Sequence, residues 1–223
     1  MTRFSYLLIA TFAALISLLN TSSFANSSNT NTFEVARFSA MDLDGWERKI
    51  FENETNYSLV EENQTYYLQA HSTQSASALY KKLKVDLHNT PYLNWSWRID
   101  QGLPPLNEKE KNGDDYAARI YIVFKTGFTP LSVRALNYVW SSNNLQDSSW
   151  PNAFTEKAIM IPLRTQQDGL HVWQHEKVNI KEDLLKHFES MPKHIEGIAI
   201  MTDTDNSGNS ASASYGDIYF SKE

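Results

Sequence analysis

Two aspartates, a serine and a glycine near the end of the chain have the spacing used by calcium-binding loops. Asp203, Asp205, Ser207 and Gly208 follow the first half of the pattern D-x-[DN]-x-[DN]-G, with Ser207 where Asp or Asn is usual. The complete pattern needs a bidentate acid at its twelfth position, which is Ser214 in this chain. The segment is therefore not an EF-hand, although its oxygen atoms suit a calcium ion.

Calcium tolerates irregular cages of oxygen ligands. The sequence therefore predicts a metal site of Asp203, Asp205 and the more distant Asp217, and no other cofactor. The alternative needs no ion: Asp and Asn side chains, including Asn206, cap their own turns, and Gly208 supplies a positive φ. Both interpretations remain open at this point.

A second pair of acids, Asp114 and Asp115, precedes a long apolar segment that contains Arg119. In an extended strand Asp115 and Arg119 share one face, and Asp114 lies on the other. A buried arginine is costly unless it is paired, so we expect a carboxylate from an adjacent strand to meet Arg119. The group, with Arg98, either lines a ligand-binding face or forms a structural ion pair.

The tryptophans divide into two classes by their surroundings. Trp95 and Trp97 alternate with apolar residues in one strand, which predicts that they lie in the core. Tyr138 and Trp140 end another strand, before a polar segment at 141–149. Because a Trp at a loop edge can stack on a sugar ring, both are predicted ligand contacts. The alternative is that Trp140 closes one end of the core.

Several kinds of catalysis are excluded by residue type. The chain has no cysteine, no G-x-S-x-G and no H-E-x-x-H motif. Paired carboxylates remain, because a glycosidase needs two acids about 5 to 10 Å apart. The candidate acids are Asp114, Asp115, Asp203, Asp205 and Asp217, but nothing in the sequence shows that they converge. We therefore predict no catalytic residues.

The amino terminus has the three parts of a secretory signal peptide. Arg3 is followed by an apolar run at 4–19 and by small residues up to Ala25. The run is shorter than the roughly 20 residues that span a bilayer. We predict cleavage after Ala25, a periplasmic or secreted protein without a membrane span, a flexible tail at 26–32 and one domain at 33–223. The net charge of −6 disfavours nucleic acid as a partner.

The mature chain contains about ten strand-like segments separated by turn signals. This pattern predicts an all-β fold, a two-sheet antiparallel sandwich of the jelly-roll type. One segment differs, because "KEDLLKHFESMP" has apolar residues at helical spacing before a proline. It predicts a single short helix near 181–190.

Several of these segments together resemble a known family. "LNWSWRID", "GDDYAARIYIVF", "LNYVW" and "IAIMTDTDNSG…ASYGDIYF" are similar to bacterial exported proteins of domain of unknown function 3047. The resemblance implies one domain and carries no assigned activity. The final strand, "SYGDIYF", also resembles the closing strand of galactose-binding-like jelly rolls, which are often carbohydrate-binding modules.

We therefore expect non-enzymatic binding of a polar ligand, such as a saccharide of the cell envelope. The predicted site contains Asp114, Asp115, Arg119, Tyr138, Trp140, Asp203, Asp205 and Asn206. One alternative is a glycoside hydrolase or polysaccharide lyase on the same fold, which would turn over polysaccharide. Another is an envelope scaffold protein without a small ligand.

Overall fold

Two β-sheets pack face to face to form the protein. A computed structural model describes residues 31–143 and 148–223, and this part of the chain contains thirteen strands and one α-helix. The predicted signal peptide at 1–25 lies outside the described residues. The all-β sandwich of the jelly-roll type is confirmed.

The first sheet has the strand order β11–β6–β13–β4–β3, and β1 also pairs with β13. The carboxyl-terminal part of β13 pairs with β1, whereas its amino-terminal part pairs with β4. The six strands are β1 (Thr32–Ala36), β3 (Asn56–Glu62), β4 (Thr65–Thr73), β6 (Tyr92–Gln101), β11 (Gln174–Asn179) and β13 (Ser210–Ser221).

The second sheet has the order β2–β5–β12–β7–β8–β10–β9. Its strands are β2 (Trp46–Glu52), β5 (Ala76–Asp86), β7 (Arg119–Lys125), β8 (Val133–Trp140), β9 (Trp150–Asn152), β10 (Thr155–Arg164) and β12 (His194–Met201). The pair β8–β10 is parallel, which differs from the predicted wholly antiparallel pairing. The segment between β8 and β10 is long enough for the crossover that a parallel pair requires. It includes β9, which pairs antiparallel with β10.

The inner faces of both sheets form the main core. Trp95 and Trp97 of β6 point inward, as predicted, with ring centroids 5.3 Å apart. They reach the opposite sheet through Tyr138 and Trp140, at centroid distances of 5.6 and 5.8 Å. Burial of such large aromatic surfaces is the dominant favourable contribution to folding.

The predicted short helix is α1 (Ile180–Phe188). Asn179 caps its amino terminus, because its side chain accepts a hydrogen bond from the Lys181 backbone at 3.2 Å. The helix ends two residues before the predicted boundary, since Glu189 adopts the left-handed conformation with φ 49°. Short 3-10 turns lie at Phe38–Ala40, Lys111–Gly113, Pro130–Ser132 and Gln166–Asp168.

The first strand begins inside the segment predicted as a flexible tail. Thr32 pairs with Ser221 of β13, and Lys222 donates a backbone hydrogen bond to Asn31. These bonds order the end of the predicted tail, and residues 26–30 lie outside the described part. Within the described residues, no helix is both long and apolar enough to cross a membrane.

The helix cap generates a stability prediction. We expect Asn179→Ala to lower the free energy of unfolding by about 1 kcal/mol, because an orphan backbone N–H at the helix start loses its acceptor. Urea unfolding measures the change. Asn179→Asp keeps the acceptor and is the control, and a similar loss in both variants would argue against capping as the cause.

Candidate functional site

Two loops meet at one end of the second sheet. Arg119 begins β7 and is paired with Met201, which ends β12, so segments 113–118 and 202–209 lie side by side. Thr202 Oγ1 donates to the Ala117 carbonyl at 2.8 Å. The structure thereby brings the predicted Asp114–Asp115 pair close to the predicted late loop.

Arg119 is buried and meets a carboxylate, which comes from the loop after β12 rather than from an adjacent strand as expected. Its Nη2 contacts Oδ2 of Asp203 at 2.5 Å, and both side chains are almost wholly excluded from solvent. The rings of Tyr116 and Tyr121 lie 5.1 and 5.2 Å from the guanidinium carbon. Burial raises the pKa of Asp203, and the Arg119 cation only partly opposes this shift.

Asp115 holds the late loop by accepting two consecutive backbone hydrogen bonds. Asn206 N donates to its Oδ1 at 3.2 Å, and Ser207 N donates to its Oδ2 at 2.6 Å. Gly208 has the positive φ of 70° that the turn interpretation required. The turn is therefore capped from a distant segment, by Asp115.

Three carboxylates converge beside this turn. One oxygen from each of Asp115, Asp203 and Asp205 lies within 4.8 Å of the others. Burial, followed by the charge of Asp115, raises the pKa of Asp205 to about 6. The three residues could hold a metal ion, because ionised carboxylates are the preferred ligands of hard cations. We call these three residues the acidic cluster.

Asp114 lies next to the acidic cluster but has its own partner. Both of its oxygens accept from Nδ2 of Asn152 in β9 at 2.9 Å. Burial raises the pKa of Asp114 to about 7, and the nearby Arg119 and Asn152 only partly reverse this effect. Asn152 was not predicted from the sequence, because nothing in its local pattern indicates which strand β9 joins.

The structure does not bring Tyr138 and Trp140 together with the acidic residues. Arg119 is paired with Val139 across β7 and β8, so the two aromatic residues that flank Val139 point to the opposite, inner face. Tyr138 donates to Oδ2 of Asp183 at 2.6 Å. Trp140 donates to the Thr165 carbonyl at 2.9 Å and lines a separate cavity of about 370 Å³.

Asp217 and Arg98 also lie away from the acidic cluster, on the first sheet. Ser39 N donates to Oδ1 of Asp217 at 2.8 Å, and Ser39 Oγ donates to Oδ2 at 2.5 Å. Asp217 is therefore not one of the acids that converge with Asp203 and Asp205. The expected grouping of Arg98 with Arg119 is also wrong, because β6 and β7 belong to different sheets.

The outer face of the first sheet carries an open groove of about 640 Å³ that the sequence did not predict. We call it the aromatic groove. One side consists of the β3–β4 hairpin, and the other consists of β11 and the residues before it. Its aromatic and polar lining residues include Tyr66, Tyr67, Asn94, Ser96, Trp173, His175, Lys177, Asp217 and Tyr219.

Arg98 orients two aromatic residues that line the groove. Its guanidinium carbon lies 5.1 Å from the ring centroids of both Tyr67 and Trp173. The two rings meet edge to face at 5.5 Å. Arg98 is itself held by Glu62 and Asp100, each at 2.7 Å. These contacts pre-organise Trp173, which precedes β11.

The groove floor contains a glycine that lies close to the neighbouring strand. A Cβ added at Gly216 would lie 2.2 Å from Oγ of Ser96 on the neighbouring strand. The register between β13 and β6 also shifts between Tyr215 and Ile218, which marks a bulge at this point. Bulges redirect side chains, and this one directs Asp217 toward Ser39.

Comparison with known proteins places the chain in a family. Residues 44–219 match DUF3047, described as "Protein of unknown function". The chain belongs to the DUF3047 family. This result confirms the resemblance seen in the paired tryptophans, the double aspartate and the late Asp-Thr-Asp loop. No curated protein matches this DUF3047 chain.

Solved structures align with this chain at low similarity. A family 11 carbohydrate-binding module from Clostridium thermocellum, bound to a mixed-linked tetrasaccharide, aligns with TM-score 0.46 and 10% identity over 85% of this chain and 94% of that one. A family 30 module of a C. thermocellum cellulase gives 0.48 and 13% over 80% and 92%. The xyloglucanase domain of NopAA from Sinorhizobium fredii, with cellobiose, gives 0.43 and 8% over 88% and 100%.

The buried Asp114 carboxyl makes part of the stability depend on pH. Its folded pKa of about 7 lies above the ordinary value of 3.8, so the folded state binds this proton more tightly. The contribution of Asp114 to the free energy of unfolding is complete below its ordinary pKa and is lost as the pH rises through about 7. We expect Asp114→Asn to reduce the fall in unfolding free energy between pH 5 and pH 8 by roughly 2–3 kcal/mol.

Urea unfolding at both pH values, in EDTA, measures this difference. Asp44→Asn removes an exposed carboxylate from a turn and is the matched control. An unchanged pH dependence in Asp114→Asn would contradict the assignment of the raised pKa to this residue.

Proposed function

We propose that the protein binds a saccharide, without catalysis, in the aromatic groove. The observation that carries the proposal is the partly exposed ring of Trp173, which Arg98 and the buried Tyr67 hold beside polar residues of the groove. Sugar rings present C–H faces to aromatic side chains and hydroxyl groups to polar ones. The groove volume of about 640 Å³ lies within the usual range for ligand sites.

The carboxylates that line the groove have structural partners, which supports binding without turnover. Glu62 pairs with Arg98, and Asp217 accepts from Ser39. Glu176 accepts from Arg164 at 2.6 Å and from Trp97 at 2.9 Å. A glycosidase needs one carboxyl free to donate a proton and a second facing the reacting carbon.

The proposed ligand is a polysaccharide of the cell envelope. The sequence at 1–25 has the form of an export signal, so the mature protein would meet polysaccharides of the envelope or the exterior rather than cytoplasmic metabolites. This source of the ligand depends on export of the protein.

The binding proposal predicts a specific loss at Trp173. A glycan array screened with the mature protein identifies the ligand, and calorimetry then measures its affinity. We expect Trp173→Ala to weaken binding at least tenfold, because a stacked aromatic face contributes about 1.5–3 kcal/mol. Phe128→Ala removes a fully exposed aromatic ring remote from the groove and is the control.

Equal affinity in wild type and Trp173→Ala would exclude the aromatic groove as the binding site. The same ligand incubated with the protein and assayed for reducing ends or unsaturated products separates binding from turnover. A rate of product formation that rises in proportion to the protein concentration would support the glycoside hydrolase or lyase alternative instead.

Export predicts a defined amino terminus. When the full chain is produced in a bacterial host with a periplasm, we expect periplasmic protein whose terminal sequence begins at Asn26. Leu8→Arg introduces a charge into the apolar run and should retain the precursor in the cytoplasm. An uncleaved protein that starts at Met1 in the periplasmic or membrane fraction would argue for a retained anchor.

A further inference from the structure

The acidic cluster concentrates more negative charge than its surroundings neutralise. Asp115, Asp203 and Asp205 converge within 4.8 Å, and Asp114 lies next to them in the chain. The basic side chain in contact with the group is Arg119, which pairs with Asp203. Carboxylates held this close repel one another unless a proton or a cation lies between them.

A second observation points to a ligand at this position. Oδ1 of Asp203 is buried and has no hydrogen-bond partner, although Oδ2 of the same side chain contacts Arg119. Oγ of Ser207, in the turn beside the cluster, is also buried without a partner. A buried carboxylate oxygen without a partner carries a large desolvation cost, which coordination of a cation would offset.

We propose that Asp115, Asp203 and Asp205 bind a calcium ion. Oxygen ligands about 2.4 Å from one calcium ion are at most about 4.8 Å apart, and one oxygen from each of the three residues meets that limit. The remaining ligands would be backbone carbonyls, with water only on the more exposed side, at Asp205. This site is distinct from the aromatic groove, since it lies at the end of the second sheet.

Calcium fits this cluster better than magnesium does. Magnesium requires near-ideal octahedral geometry and usually retains several water molecules. Asp115 and Asp203 are 0% and 1% exposed, which leaves little room for such a hydration shell. Calcium accepts irregular oxygen cages and releases its water more readily.

The ion would order the late loop. Asp115 already binds the backbone of Asn206 and Ser207, and Asp203 and Asp205 belong to the same loop. A shared cation would therefore tie the segment before β7 to the segment before β13. The expected consequence is a rise in thermal stability rather than a chemical step.

The experiment uses the mature protein stripped with EDTA and then given millimolar Ca²⁺, Mg²⁺ or Mn²⁺. We expect Ca²⁺ to raise the melting temperature by roughly 5–10 °C if it reaches about 100 times its dissociation constant. Terbium luminescence, sensitised by neighbouring tyrosines and displaced by Ca²⁺, reports binding directly.

Two substitutions locate the ion. Asp205→Asn removes the most exposed ligand without breaking the Arg119–Asp203 contact, and should weaken terbium and calcium binding at least tenfold and abolish the shift. Asp44→Asn removes one exposed carboxylate elsewhere and should change neither.

Three results would overturn the proposal. They are no binding or shift with Ca²⁺, an undiminished response in Asp205→Asn, and a larger shift with Mg²⁺ or Mn²⁺ than with Ca²⁺. Because saccharide binding is measured separately with Trp173→Ala, failure of the ion site would leave the groove proposal unaffected.

Discussion

The positive charge of Arg119 lies where water does not reach, and the end of the second sheet is arranged around it. A guanidinium keeps its proton in proteins, so burial does not neutralise it and a carboxylate must accompany it. Asp203 provides that carboxylate at 2.5 Å, and two tyrosine rings flank the guanidinium. The loop after β12 must therefore return to the start of β7, which brings Asp205 toward Asp115.

The two candidate sites are connected through one strand. The late loop leads directly into β13, which runs from Ser210 to Ser221 and contributes Gly216 and Asp217 to the aromatic groove. The order of the loop thus sets where β13 begins, and the bulge at Gly216 sets which of its side chains face the groove. The groove residues on the first sheet depend in this way on packing at the end of the second.

The sequence predicted those features that follow from local pattern. Alternation placed Trp95 and Trp97 in the core, helical spacing located α1, and the cost of a buried charge required a partner for Arg119. The face occupied by Trp140 was not predictable in this way. It depends on the register that pairs Arg119 with Val139, and a single sequence does not specify register between strands that are joined by a loop.

The aromatic groove was missed for a related reason. Its two principal rings, Tyr67 and Trp173, come from segments far apart in the chain, which meet only because the strand order is β11–β6–β13–β4. Asp217 was chosen as the third metal ligand for the same reason, because a single sequence does not show which distant acid reaches the late loop. Only the tertiary structure shows that Asp115 is the one that reaches Asp203.

Burial suits the two candidate sites to different kinds of ligand. Asp115 and Asp203 have almost no exposed surface, so a pyranose ring could not reach their oxygens without displacing the late loop. A bare ion is small enough to reach these oxygens, and its Coulombic attraction to the carboxylates is strongest where water is excluded. Tyr219 and His175, by contrast, are exposed along an open groove, where a sugar can stack and exchange its hydrogen bonds with water. The buried acids therefore suit an ion that stabilises the fold. The aromatic residues of the groove suit a ligand that binds at the solvent-exposed surface.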